Sequence, residues 1–75
     1  MRVLITDPVA ETLIDILKRN GFEVSYRPDI GPRELLSEVR NASVLVVRSR
    51  TKVTRNVIDA AGSLRLIARV GAVSY

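Results

Sequence analysis

Five consecutive residues, Arg48-Ser49-Arg50-Thr51-Lys52, place three cations and two hydroxyls directly behind the apolar run Val44-Leu45-Val46-Val47. A guanidinium offers carboxylate or phosphate a planar two-pronged donor, and serine and threonine hydroxyls add short neutral hydrogen bonds. The chemistry this cluster supports is recognition of an anion. Thr54 suits an N-cap, and a helix starting there turns unpaired N–H groups and a partial positive charge toward the same loop. Arg48 and Arg50 are both candidates for the binding cation. Arg69 follows in the last apolar segment and is placed to reach the same rim; Gly71 permits either close backbone approach to a ligand or simply a turn. A second reading stays open, in which the arginines are solvated and the hydroxyls only cap the next helix.

Catalytic groups are scarcer. The chain has no histidine and no cysteine, no paired carboxylates spaced for acid–base work, and no cluster with metal-ligand spacing. The first apolar run leads into Thr6-Asp7-Pro8-Val9-Ala10-Glu11-Thr12, which lacks the glycines of a dinucleotide loop. A phosphoryl-receiving domain needs an aspartate where the third apolar run ends, and Arg48 stands there instead, with the wrong charge for Mg²⁺. Asp7 therefore reads as a helix cap.

The elements that position these residues follow from periodicity. Arg2 to Thr6 is a short strand. Asp7 as N-cap and Pro8 at the first helical position open a helix whose Ala10, Leu13, Ile14 and Leu17 fall on one face. Asn20-Gly21 stops it through a left-handed turn. Phe22, Val24 and Tyr26 alternate with Glu23 and Ser25 as a half-exposed strand. Pro32 opens a second helix with Leu35, Leu36 and Val39 buried, and Ile30 and Leu35 in staple positions. Ser43 to Val47 is a strand apolar on both faces. A short helix from Thr54 to about Ala61 has Val53 and Ile58 in staple positions, and Gly62 ends it. In the last strand, Leu64 to Val70, the residues Leu64, Leu66, Ala68 and Val70 share one face and Arg65, Ile67 and Arg69 the other.

Repeated strand–helix units imply a parallel sheet with right-handed crossovers. Strands apolar on both faces belong in the middle, so the order is 2-1-3-4. The fold class is α/β, a three-layer flavodoxin-like half-domain. Constant handedness sets the first helix on one face and the other two on the opposite face. One helix cannot cover four strands, and strand four is left as an edge. The expectation is self-association, as a homodimer through strand four (Leu64 to Val70) or the uncovered sheet face, or membership of something larger.

Size and charge agree. At 75 residues the chain holds one domain at most, and such a domain buries only about 60% of its unfolded surface. Net charge is +4, unevenly spread: residues 1–39 carry five cations against seven anions, and residues 40–75 carry seven cations against Asp59 alone. That asymmetry points to an anionic partner for the second half. A stand-alone basic module for nucleic acid is the alternative, weakened by a supply of only three aromatics, Phe22, Tyr26 and Tyr75. No apolar run approaches the roughly 18 residues of a membrane span, and the start lacks a signal-peptide layout, so a cytoplasmic setting is expected.

The block Val44 to Thr54, "VLVVRSRTKVT", followed by "LRLIARVG", resembles the N-terminal segment of the D-isomer-specific 2-hydroxyacid dehydrogenases, and the phosphoglycerate dehydrogenases among them. The opening "RVLITDPVAETLIDILKRNGFEVSYRPDIGPRELL" fits the same family. The resemblance implies that residues 1–75 are one partial substrate-binding domain, flavodoxin-like, with no nucleotide-binding domain. It implies that Arg48 and Ser49 contact substrate, and that Val70, Gly71 and Ala72 match the loop whose backbone N–H groups face the substrate carboxylate. NAD is the cofactor of the parent family; the family's dinucleotide glycines and catalytic residues lie further on, so no cofactor is expected in this chain. The ending Gly71-Ala72-Val73-Ser74-Tyr75 departs from the family's glycine-bearing continuation. The expectation is a truncated or excised piece, catalytically dead alone, with weak binding of a small anionic substrate.

Overall fold

Alternating strand and helix signals become a four-stranded, wholly parallel sheet in the computed structural model, which describes residues 1–70. The strands are β1 (Arg2–Ile5), β2 (Glu23–Tyr26), β3 (Val44–Val47) and β4 (Leu66–Arg69), ordered β2-β1-β3-β4. The helices are α1 (Glu11–Arg19), α2 (Pro32–Glu38) and α3 (Arg55–Ala60), with a 3-10 turn, Val39–Asn41, after α2. The expected order is the observed one. The central strands are those with apolar residues on both faces, because only they lose water from both sides.

Register sets the two core layers. Leu4 lies beside Leu45, and Ile5 beside Val46. On one face Leu4, Leu45 and Val47 pack with Ile30, Leu35, Val39 and Val57 beneath α2 and α3. On the other, Val3, Ile5 and Val46 pack with Leu13, Ile14 and Leu17 of α1. Each fully buried Val, Leu or Ile contributes about 1.5–3 kcal/mol, so these layers carry the fold. Ile30 and Leu35 are both buried, as a staple across the α2 start requires. Gly21 takes φ +85°, a value that side chains resist, and turns the chain into β2.

Three local expectations are corrected. Asp7 does not cap α1, and Pro8 is not its first residue: the helix begins at Glu11 behind an extended Ala10 with no side-chain cap. The Asp7 carboxylate is taken instead by donors across the sheet. Thr54 does cap α3, its hydroxyl accepting from Val57 N–H, but the Val53–Ile58 staple does not close. Val53 packs into the core while Ile58 stays 56% exposed. In the last segment, Leu64 packs toward α2 and α3 whereas Ala68 and Val70 pack on the α1 side. The N–H groups of Arg65 and Leu66 both donate to Ser43 O, at 2.8 and 3.3 Å. Two donors on one acceptor break the period-two alternation before β4 begins.

β4 pairs with β3 alone among the described residues. Its Leu66 is 57% and Ile67 39% exposed. Among the described residues, no helix is long and apolar enough to cross a membrane.

Candidate anion-binding site

The carboxyl ends of β1 and β3 are neighbours, which brings Thr6-Asp7 against the loop Arg48 to Thr51. Asp7 is fully buried. Its Oδ2 accepts from the backbone N–H of Arg48 and, at 3.0 Å, from that of Thr51. Its Oδ1 accepts from the Thr51 hydroxyl and pairs with Arg50 Nε at 3.2 Å. The Thr51 oxygen also lies 3.1 Å from Thr6 O; its single proton serves the carboxylate. Burial alone would raise the Asp7 pKa. The hydrogen bonds from Thr51 and from Arg48 N–H, with the Arg50 charge, outweigh burial and hold the carboxyl below its ordinary value. An ionised carboxylate thus holds three of the four loop residues from Arg48 to Thr51.

The cluster divides by role. Arg50 is a half-exposed brace: besides Asp7 it donates through Nη2 to Thr6 O at 2.5 Å. Thr51 is buried and its hydroxyl is spent on Asp7, so it is not a free ligand group. Arg48 and Ser49 are exposed. Arg48 donates from Nη1 to Pro8 O at 3.0 Å, leaving the rest of its guanidinium free among the described residues. Ser49 has no hydrogen-bond partner among the described residues. Both arginines that spacing left open are exposed, but Arg50 spends Nε and Nη2 within the chain whereas Arg48 engages only Nη1.

The strand-four side contributes less than expected. The Val70 N–H donates to Val47 O at 2.8 Å, extending the ladder, so it is not an open donor. Gly71 and Ala72 lie outside the described residues. Arg69 sits beside Val47 and is exposed. Of the seven cations in the second half, only Arg50 makes an ion pair among the described residues, so the basic surface is available to an anion. Sequence reasoning missed Asp7 as the anchor of this loop; the signal in the chain was an aspartate at the end of a strand destined to lie beside the strand that carries the cluster.

The described residues do not fit a dinucleotide. The turn after β1, where a pyrophosphate is cradled in folds of this topology, carries the buried Asp7 carboxylate and has no glycine. Nor do the described residues contain a group of three or more potential metal ligands.

Residues 3–74 match the family model described as D-isomer specific 2-hydroxyacid dehydrogenase, catalytic domain. The chain is 46% identical over 71 residues to a D-3-phosphoglycerate dehydrogenase of Methanocaldococcus jannaschii, and 42% identical over 71 residues to one of Archaeoglobus fulgidus. Each alignment takes in 95% of this chain but only 13% and 14% of the respective relatives. Among solved structures, the TT0316 protein from Thermus thermophilus superposes with a TM-score of 0.80 at 34% identity, over 96% of this chain and 24% of that one. An NAD+-bound 3-phosphoglycerate dehydrogenase of Entamoeba histolytica superposes with the same TM-score at 25% identity, over 96% and 26%.

Proposed function

The chain belongs to the D-isomer specific 2-hydroxyacid dehydrogenase family, and from that premise we propose that it supplies the opening half of a substrate-binding domain, with Arg48 and Ser49 as its contacts to an acidic substrate. The observation that carries this reading is the division of labour in the loop after β3. Asp7 and Arg50 immobilise the backbone while Arg48 and Ser49 stay exposed. A rigid cation and hydroxyl at the carboxyl end of a central strand suit a small carboxylate or phosphate.

The named relatives are oxidoreductases acting on phosphoglycerate, a substrate with both a carboxylate and a phosphate. Oxidation of a 2-hydroxy acid needs a base for the hydroxyl proton and a nicotinamide for the hydride. These 75 residues contain no histidine and a β1 turn that does not suit a dinucleotide. On this reading the chain binds but does not turn over. Mixed with NAD and 3-phosphoglycerate, it should give no absorbance of reduced nicotinamide, while amide signals of Arg48 and Ser49 shift on adding 3-phosphoglycerate. Turnover, or an unmoved loop at tens of millimolar ligand, contradicts the proposal.

Self-association through β4 is part of the same proposal. What supports it is an unpaired edge flanked by exposed Leu66, Ile67 and Ile58, the kind of surface that normally finds a partner. Sedimentation at low micromolar concentration should give a dimer, and Leu66→Lys should convert it to monomer. A stable monomer of the unmodified chain would overturn this part.

A further inference from the structure

A cavity of about 430 Å³ opens between the start of α2 and the loop that leads into α3. Ile30, Leu35, Leu36 and Val57 make an apolar floor, and Arg50 and Lys52 stand among the lining residues. Arg48, Ser49 and Val70 do not line it, so it is a second place in the molecule and does not rest on the reading given above. The volume falls within the range of small-molecule sites, which combine an apolar lining with a few polar groups.

Its electrostatics are one-sided. No carboxylate lines it. Glu34 of α2 is engaged by Arg27 Nη2 at 2.6 Å, and Asp7 is buried behind Arg50. The Arg50 guanidinium is already held: Nε by Asp7 at 3.2 Å, Nη2 by Thr6 O at 2.5 Å and by Ile30 O at 3.5 Å. Nη1 has no partner among the described residues. Lys52 is exposed and makes no ion pair among the described residues. A ligand meeting this corner finds a cation whose ordering cost is already met, and beside it a second, exposed one.

We propose that this cavity binds a small amphipathic carboxylate, with a short alkyl chain on the Ile30, Leu35, Leu36 and Val57 floor and its head between Arg50 Nη1 and Lys52. The apolar floor selects against a bare anion, since an inorganic ion gains nothing from it. With Nε and Nη2 engaged, Arg50 offers one prong and not the parallel two-pronged contact open to carboxylate and phosphate alike, so the apolar floor decides for an anion that carries an alkyl chain. A single free N–H edge and one ammonium match a singly charged carboxylate.

The test is a titration of the 75-residue chain followed by amide NMR, with hexanoate, acetate, hexylammonium and inorganic phosphate as probes. Hexanoate should shift Leu35, Leu36, Thr51 and Val57 saturably. Acetate should bind about tenfold or more weakly, and hexylammonium and phosphate should leave those four signals in place. Lys52→Glu, at an exposed position, should weaken hexanoate about five- to tenfold. Equal responses to acetate and hexanoate, an equal response to phosphate, or hexanoate shifts confined to Arg48 and Ser49 would each overturn the proposal. The probe series on the unmodified chain decides this without any variant.

Discussion

Asp7→Ala should bring this chain to the edge of unfolding. The carboxylate receives two backbone N–H groups, one hydroxyl and one guanidinium from a single loop, and it is wholly removed from water. Taking it away leaves the Arg48 and Thr51 donors without a partner, each at about 1–3 kcal/mol where water cannot replace it. It also strips Arg50 of its counter-charge, but that guanidinium is 46% exposed, so water screens the loss and the ion pair itself adds only about 1 kcal/mol or less. A chain of this size has roughly 4–11 kcal/mol to lose. Urea unfolding of Asp7→Ala should therefore show a midpoint lowered by more than half, or no folded baseline. Asp7→Asn keeps the volume but turns a donor toward donors, and should cost about 2–3 kcal/mol. Either variant unfolding at the wild-type midpoint would remove Asp7 from the account of the loop.

The same group sets an acid limit. A carboxyl held below its unfolded value, near 3.8, adds stability that is complete above that value and is lost as pH falls through the folded value. The unmodified chain should thus weaken below about pH 4 more steeply than Asp7→Asn, which has no such proton to gain. Parallel acid limbs for the two proteins would show that Asp7 is not the group responsible.

Leu45→Ala should be nearly as costly, for an apolar reason. Leu45 is fully buried in a central strand, beside Leu4, and belongs to the cluster that joins the sheet to α2 and α3. Loss of its branched end leaves a void that rigid strands on both sides cannot close, at about 3–5 kcal/mol. The contrast is Ile58→Ala: that side chain is mostly exposed, so its cost in the monomer should stay within about 0.5 kcal/mol. Urea midpoints for the pair measure the difference; a Leu45→Ala loss below about 1 kcal/mol would mean that the α2–α3 layer is not packed as described.

Much of the fold was legible because its determinants are local. Asn20-Gly21 ends α1 and Gly21 takes the positive φ expected of it. Pro32 opens α2 and Thr54 caps α3. The two-sided apolar runs of β1 and β3 placed them centrally, which fixed the order β2-β1-β3-β4. The basic, hydroxyl-bearing cluster was legible as a composition, Arg48 to Lys52, and its position at the end of a strand followed from the run before it. Its internal division was not. Spacing gave Arg48 and Arg50 equal claims, and Ser49 and Thr51 likewise.

Element types, their order and the place of the basic loop were thus settled by periodicity and turn chemistry, which act over a few neighbouring residues. The roles of Asp7, Arg50 and Thr51 were assigned by folding alone. Their partners lie 41 and 44 residues apart in the chain and meet because parallel pairing lays the ends of β1 and β3 side by side. A carboxylate at a strand end captures whichever donors are nearest once water is excluded, and in this fold those donors come from the loop after β3, not from the helix that follows in sequence.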